Sequence, residues 1–517
     1  MPMLVKGELV LPPRIDARRL DSWWRPTGRA ARRAERLAVE GAYLVRRPVL
    51  DRSTLEPTGE AQVVAFPLVE PDRLVEEDPT EMARTLHRLP FDEVLDYVRA
   101  LREVLASKRG LLEALTARAK ATSLVHGSLV ELVGNVLQGL LDPDGLAAAV
   151  DRDLGGPDAP GRRYLDEWVP VSARAHRGLT ARLSEEIFDT GGSSTGVGEA
   201  LRLRAVPTRQ LHITAGNSAI VPFVSALRAF ATKGAAVVKS PSESFLASVV
   251  LAVAMHEVDA GHPLTRHTSL VCWPGGDARV ENGLFRRNSF DRLVVWGSAE
   301  TVKSVRLRAP DVRTIIMEPR VGVSLIGREA IAAGARGAAV RAAADSMVEN
   351  QQACTSSLVH YVEGPEEVAL DYCRALQEVL ARWDVAIPHA PSRESVARQR
   401  QLRRGELALA TWFVNGRSPA TSAVVYVRTR FDLATHPLGR CIVVRRVDDL
   451  REAVSLLDRG ISTAGVATEA RREQLRDEIA ARGVSNVLPL GEAELAYAGM
   501  PHDGMRVLSE LVSWTTA

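Results

Sequence analysis

The sequence predicts an α/β protein built from two consecutive parallel-sheet domains behind an irregular N-terminal region. Three observations carry that prediction. The chain has 517 residues, too many for one hydrophobic core. From about residue 200, short β-branched runs alternate with helical stretches, the pattern of parallel strands joined by crossover helices. The same alternation starts again near residue 322, which marks a second sheet.

Residues 1–89 read as an N-terminal subdomain or arm, with Trp23 and Trp24 side by side, the run RAARRAERL, several prolines and a strand-like AQVVAF at 61–66. The arginine run reads as a solvated helix face rather than a binding patch. Helical periodicity over 90–150 opens a cofactor-binding domain that spans 90–320. Its strands are LHIT (211–214), AAVVK (235–239), SLVCW (269–273) and RLVVWG (292–297), with helices over 219–232, 243–258 and 299–308. That order is the doubly wound, Rossmann-type arrangement, which binds ligands at the carboxyl ends of its strands. The second series forms a catalytic domain over 321–484. It runs from VSLIG through a long Ala-rich helix at 328–349 to SLVHYVEG (357–364), SAVVYV (422–427), CIVVRR (441–446) and TAGVA (463–467). Helices over 365–383, 447–458 and 468–480 lie between these strands. Residues 485–517 read as a C-terminal segment that returns to the cofactor domain or to an oligomer interface.

Composition narrows the function classes. The 66 basic and 64 acidic side chains leave a net charge of +2, so no bulk field favours nucleic acid or an anionic membrane. No apolar run is long enough to span a bilayer, and the N-terminus lacks a signal-peptide core. The four cysteines, Cys272, Cys354, Cys373 and Cys441, are scattered without metal-ligand spacing, so no metal site is expected. A reducing, cytoplasmic location follows as the expectation.

Four segments carry chemistry. In ENQQACTSS (349–357), Cys354 sits between a long helix and a buried-type strand, where a nucleophile can face a cleft on a fixed backbone. A thiolate is the species that attacks a thioester or aldehyde. Cys272, Cys373 and Cys441 lie inside apolar patterns and read as small buried hydrophobes. In ITAGNSAIVPF (213–223), the Asn217 amide stands at a strand-to-helix junction, where it serves either as an oxyanion donor or as a helix cap. In VVKSPSES (237–244), Lys239 ends a strand and reaches ribose hydroxyls or an adenosine phosphate, while Ser242 and Ser244 also suit capping. In VVWGSAETV (294–302), Gly297 permits close approach of a pyrophosphate and Ser298 opens a helix N-terminus that donates to it.

Taken in order, these segments resemble the aldehyde dehydrogenase superfamily over roughly 200–517. The Asn-containing strand end matches Asn217, and the lysine strand follows 22 residues later at Lys239. The Gly-Ser turn, the Glu-containing strand end at Glu318 and the NQxxC-type segment ending in Cys354 complete the set. Within the superfamily, AGN with Pro222, ENQQACTSS, HPLGRCIVV (436–444) and PHDGMRVLSELVSW (501–514) resemble the long-chain acyl-CoA reductases of bacterial bioluminescence. Ordinary dehydrogenases carry a glutamate near His436 or Pro437 and a phenylalanine at Leu438, so cofactor placement by Leu438 and Gly439 must differ in detail. Val302 also stands where the Gly-Ser turn usually has a later glycine.

The resemblance implies NADPH-dependent reduction of an acyl-CoA or acyl-carrier thioester to an aldehyde, with NADH as the second cofactor. It also implies a homo-oligomer and a complex with an acyl-transferring or acyl-activating protein. Catalysis would rest on Cys354 and Asn217, with Glu318 the dehydrogenase base. Lys239, Ser242, Gly297, Ser298, Leu438 and Gly439 would bind the cofactor. Two other readings remain: an aldehyde-oxidising dehydrogenase in which Glu318 activates water, and a catalytically silent acyl-binding or scaffolding subunit.

Overall fold

The computed structural model describes residues 1–23, 35–50, 57–107, 139–171, 183, 186–188, 201–216, 220–241, 245–387, 393–405, 407–414, 422–495 and 500–517. Trp24, most of the arginine run, Asn217, Ser242 and Ser244 lie outside the described residues. Strands follow in chain order. The N-terminal ones are β1 (Met3–Val5), β2 (Glu8–Val10), β3 (Glu35–Val39), β4 (Ala42–Leu50) and β5 (Pro57–Pro67). Next come β6 (Val169–Pro170), β7 (Arg202–Val206), β8 (Arg209–Ile213), β9 (Ala235–Ser240), β10 (Thr268–Cys272), β11 (Arg292–Trp296) and β12 (Arg313–Met317). The second series is β13 (Val321–Ile326), β14 (Ser357–Glu363), β15 (Thr411–Val414), β16 (Ala423–Val427), β17 (Cys441–Val447), β18 (Ile461–Ala467) and β19 (Asn486–Pro489), and β20 (Ser513–Thr516) ends the chain.

The first sheet has the order β12-β11-β8-β9-β10-β1-β2. The five strands from β12 to β10 run parallel, whereas β1 joins β10 antiparallel through Leu4 and Leu270. Parallel strands need helices on both faces, which is why β9, β10 and β11 are buried at every position. Helices Phe91–Ser107, Val221–Ala231 and Leu246–Asp259 pack one face around Val98, Phe230 and Met255. The other face carries helices Ala278–Leu284 and Ala299–Arg308, together with the antiparallel β3-β4-β5 sheet, whose Tyr43, Val45 and Phe66 share one buried cluster with Val237, Val271, Leu284 and Val305. Phe66 packs edge-on against Phe245 with ring centroids 4.9 Å apart. The residues read as an N-terminal arm therefore extend and cap the first sheet. Its first two strands have three residues each, too few to show a period in sequence.

The second sheet has the order β15-β16-β17-β14-β13-β18-β19, parallel except for β15. The helix expected over 328–349 is two helices, Arg328–Ala332 and Ala335–Met347, broken where Gly334 takes φ +145°. That backbone conformation is open to glycine and closed to residues with a Cβ. The Arg-rich helix Arg393–Arg404 and the edge strand β15 have no counterpart in the sequence reading. No helix among the described residues is long and apolar enough to cross a membrane.

Only Glu318, Pro319 and Arg320 separate β12 from β13. This connector brings the carboxyl edge of the first sheet against the amino edge of the second. The chain end then crosses back. Arg292 donates to the main-chain carbonyls of Glu510 and Val512, and β20 pairs with β7.

Candidate active site

The amino edge of the second sheet holds Cys354. It lies in the turn between the 3-10 segment Val348–Gln351 and β14, and its side chain is partly exposed. Ser462, at the start of β18, donates its hydroxyl to the Cys354 carbonyl, and the Ser356 N–H closes a turn onto Ala353 at 3.0 Å. At the start of β13 the Gly322 N–H donates to the Ser356 carbonyl at 2.7 Å. A Cβ on Gly322 would stand 2.2 Å from the Thr355 carbonyl oxygen, so only glycine lets this turn lie so close to the sheet. The other three cysteines are buried. Burial pushes the Cys373 and Cys441 thiols up to about 12, which removes them as thiolates near neutral pH.

Leu438 and Gly439 also lie on this side. Both take left-handed backbone, at φ +57° and +66°, in the loop that leads into β17. His436 in the same loop accepts the Leu438 N–H on Nδ1 at 3.0 Å, which leaves the ring proton on Nε2. Burial lowers the His436 pKa to about 3, so the ring is neutral. This loop bonds to the segment before Cys354, and its Leu438 packs on the core of the second sheet.

The carboxyl edge of the first sheet holds the candidate cofactor residues. Lys239 lies near the end of β9, in register with Ile213 of β8 and Val271 of β10, and is 9% exposed. Its carbonyl accepts the Thr214 N–H at 3.1 Å and the Thr214 hydroxyl at 2.8 Å, tying the Asn217-bearing loop to the lysine strand. Gly297 follows β11 in a turn where a Cβ would press Thr301 at 3.2 Å. Ser298 caps the ten-residue helix Ala299–Arg308 by accepting the Thr301 N–H. Its hydroxyl is thus engaged with its own helix, and the anion-binding groups left at this turn are main-chain N–H donors. A buried lysine near the end of one strand, and a glycine turn opening a helix N-terminus after another strand of the same sheet, are groups of the kind that fit the adenosine and diphosphate half of a nicotinamide dinucleotide. Among the described residues no His, Cys, Asp or Glu group has the arrangement to hold a metal.

Glu318 lies on the connector between the two edges and is exposed. Beside it is a turn within the segment PHDGMRVLSELVSW, to whose residues the sequence reading gave no role in the site. His502 and Met505 exchange both main-chain hydrogen bonds, at 2.9 and 3.0 Å, around Asp503 and Gly504, which both have positive φ. This is a two-residue type I′ turn, and the Asp-Gly pair is its sequence signature. The turn buries the Asp503 carboxylate against Arg320 at 3.2 Å, with the Glu318 main chain as a further hydrogen-bond partner. Arg320 in turn donates to Ser485 at 3.2 Å. Desolvation raises the Asp503 pKa against the opposing pull of Arg320. The His502 ring packs on Trp296, over which the half-buried Arg228 guanidinium also lies, at 5.3 Å from the ring centroid. The chain end therefore braces the residue just before Gly297 and the connector that carries Glu318.

This arrangement has the fold of the aldehyde dehydrogenases. A putative aldehyde dehydrogenase from Burkholderia cenocepacia superposes with a TM-score of 0.66 at 16% identity, covering 100% of this chain and 99% of that one. An oxidoreductase from Marinobacter aquaeolei superposes at 0.64 and 14% identity, covering 91% of this chain and 94% of that one. Within that fold, a family model described as acyl-CoA reductase (LuxC) matches residues 204–514, more than half of the chain. The chain belongs to the acyl-CoA reductase (LuxC) family. It is similar to long-chain acyl-protein thioester reductase 2 of Photobacterium leiognathi, 23% identical over 70% of this chain and 69% of that protein. It is also similar to long-chain acyl-protein thioester reductase of Photorhabdus luminescens, 27% identical over 72% of this chain and 71% of that protein.

Proposed function

We propose that this protein reduces a fatty acyl thioester to an aldehyde with NADPH, through an acyl group carried on Cys354. The observation that supports the reading is the setting of Cys354: partly exposed in the turn before β14, whereas the other three cysteines are buried. The Cys354 thiolate adds to the carbonyl carbon of the substrate thioester and expels the carrier thiolate, leaving the acyl group on Sγ. A bound nicotinamide cofactor supplies the hydride that reduces this enzyme thioester. The resulting tetrahedral oxyanion collapses, breaks the bond from carbon to Sγ, and releases aldehyde and the Cys354 thiolate.

Asn217 and the Cys354 N–H stabilise the oxyanion in both additions. One such donor contributes about 3 kcal/mol. Asn217→Ala is expected to lower kcat by about 10²-fold with little change in KM. A rise in KM alone would make Asn217 a binding residue. Lost thermal stability with unchanged kinetics would make it a helix cap.

Lys239, Ser242, Gly297 and Ser298 hold the nucleotide, and Leu438 and Gly439 line its nicotinamide end. Glu318 needs no water-activating role in a reductase and stands as an exposed residue at the end of β12. NADPH preference rests on Ser242, three residues after Lys239, where a carboxylate would repel a 2′-phosphate. Ser242→Glu is expected to erode NADPH use far more than NADH use, and Lys239→Ala to weaken NADPH more than NADH. Equal kcat/KM for the two cofactors in the parent protein would refute the preference. NADH preference in the parent together with a gain of NADPH use in Glu243→Ser would put Glu243, not Ser242, at the critical position.

The names of the relatives, long-chain acyl-protein thioester reductases, support a long-chain acyl thioester as the substrate. Delivery on CoA or a protein carrier, in the cytoplasm, to a homo-oligomer that works beside an acyl-transferring or acyl-activating protein is the further part of this proposal. Product analysis with acyl thioester plus NADPH, against aldehyde plus NAD⁺, tests the direction. Acid as the sole product would overturn the reductase reading, and no product in either arm would favour an acyl-binding subunit.

A further inference from the structure

We infer that Gln351 and Arg440 are positioning residues that hold the Cys354 turn in its reactive geometry, an inference that rests on Cys354 as the acyl acceptor. Two side-chain links converge on the segment that leads into that turn. The buried Gln351 amide donates to the Cys441 carbonyl at 2.9 Å and accepts the Cys441 N–H at 2.9 Å. This closed pair of bonds imitates a strand ladder at the amino end of β17. Next to it, Arg440 has a side chain only 2% exposed. Its Nε donates to the Asn350 side-chain oxygen at 2.9 Å and its Nη1 to Asp384 at 2.9 Å. Asp384 is fixed in turn by the Ser422 N–H at 3.0 Å and the Ser422 hydroxyl at 2.7 Å.

The backbone these links hold is strained. Asn350 and Gln351 have φ of +56° and +68°, and Leu438 and Arg440 have +57° and +63°. Each non-glycine residue in left-handed backbone costs on the order of 1–2 kcal/mol. Four such residues in two facing loops relax unless something opposes them. The opposing forces are the Gln351 pair and the buried Arg440 cation with its two acceptors. Cys354 follows three residues after Gln351, and its carbonyl is pinned from the far side by Ser462. Release at residues 350–351 therefore moves the turn that carries Sγ while the anchors at β13 and β18 stay in place. A displacement near 1 Å at a reacting atom costs about 10²-fold in rate.

Gln351→Glu is isosteric, keeps the acceptor for the Cys441 N–H, and sets a second acceptor against the Cys441 carbonyl. Asn350→Gly removes the bond from Arg440 and leaves left-handed backbone at no steric cost, so this variant folds if the first does not. In each folded variant three quantities are measured: the single-turnover rate of acyl transfer from a palmitoyl thioester to Cys354, read by mass spectrometry; the Kd for NADPH; and the thermal midpoint. The expected result is an acylation rate lower by about 10²-fold, with the NADPH Kd within twofold and the Asn350→Gly midpoint at or near the parent value. Acylation within twofold of the parent in a folded variant overturns the inference. So does a loss that appears equally in the NADPH Kd, which is the mark of a general structural role. If the parent protein carries its acyl label on a residue other than Cys354, the reading of the nucleophile fails first, and that outcome is seen before any variant is made.

Discussion

Replacing Cys354 by serine is expected to abolish acyl transfer, by on the order of 10⁴-fold, while NADPH still binds with its parent affinity. The reason for the size of the effect is chemical. A serine hydroxyl holds its proton far above neutral pH and is a far weaker nucleophile towards a thioester. The cysteine, by contrast, needs only to ionise. The reason for the selectivity is architectural. Cys354 hangs on the amino edge of the second sheet, whereas Lys239, Gly297 and Ser298 stand on the carboxyl edge of the first. Incubation with a labelled acyl thioester should leave one thioester adduct, on the peptide that contains Cys354. A label on Cys272, Cys373 or Cys441, or full turnover in the serine variant, would sink the assignment. Burial already argues against Cys373 and Cys441 as acceptors, because their thiols stay protonated.

The second large effect is on stability, and it concerns Lys233. This side chain is 0% exposed. Its ammonium donates to the main-chain carbonyls of Leu89 and Leu165 and pairs with the Asp166 carboxylate. Leu89 precedes helix Phe91–Ser107, and Leu165 lies in the last turn of helix Gly161–Asp166, where carbonyls lack helical partners and a cation is favoured. Lys233 thus ties the end of helix Gly161–Asp166 and the segment ahead of helix Phe91–Ser107 to the turn that follows helix Val221–Ala231. Lys233→Met preserves most of the volume and removes every donor. It is expected to destabilise the first domain by about 3 kcal/mol, the sum of orphaned buried carbonyls and an unpaired carboxylate. Denaturant melts followed by the tryptophan signal would check it. A change below about 0.5 kcal/mol, the level of an ordinary surface substitution, would show that water replaces the ammonium without cost. Asp166→Asn should cost less than Lys233→Met, because Asp166 is 37% exposed and its loss leaves the two carbonyl acceptors satisfied.

Much of the fold is legible in the chain because a period survives without its partners. The strand pattern in RLVVWG and the helix expected over 299–308 match β11 and Ala299–Arg308, since alternation and capping are local properties. The errors have local causes too. Gly334 breaks an Ala-rich run whose composition favours helix on both sides, and a single backbone conformation outweighs that preference. Strands β1 and β2 carry too few residues to declare themselves, and they exist because β10 offers an edge to pair with.

For the site, the sequence by itself determined which residue types stand at which junctions: a cysteine before a strand, a lysine at a strand end, a Gly-Ser pair ahead of a helix. Those are neighbours along the chain, so their order is sufficient to find them. The tertiary structure alone decided what holds them. Arg440 meets Asn350, and Gln351 meets Cys441, each across 90 residues. Asp503 reaches back to Arg320 from the turn between His502 and Met505. No periodicity encodes such pairs, because they form only when crossover connections set β17 beside β14 and return the C-terminal segment to the first sheet. Once that topology is in place, burial makes the pairs obligatory, since an arginine or carboxylate stripped of water must find a partner or lose its charge.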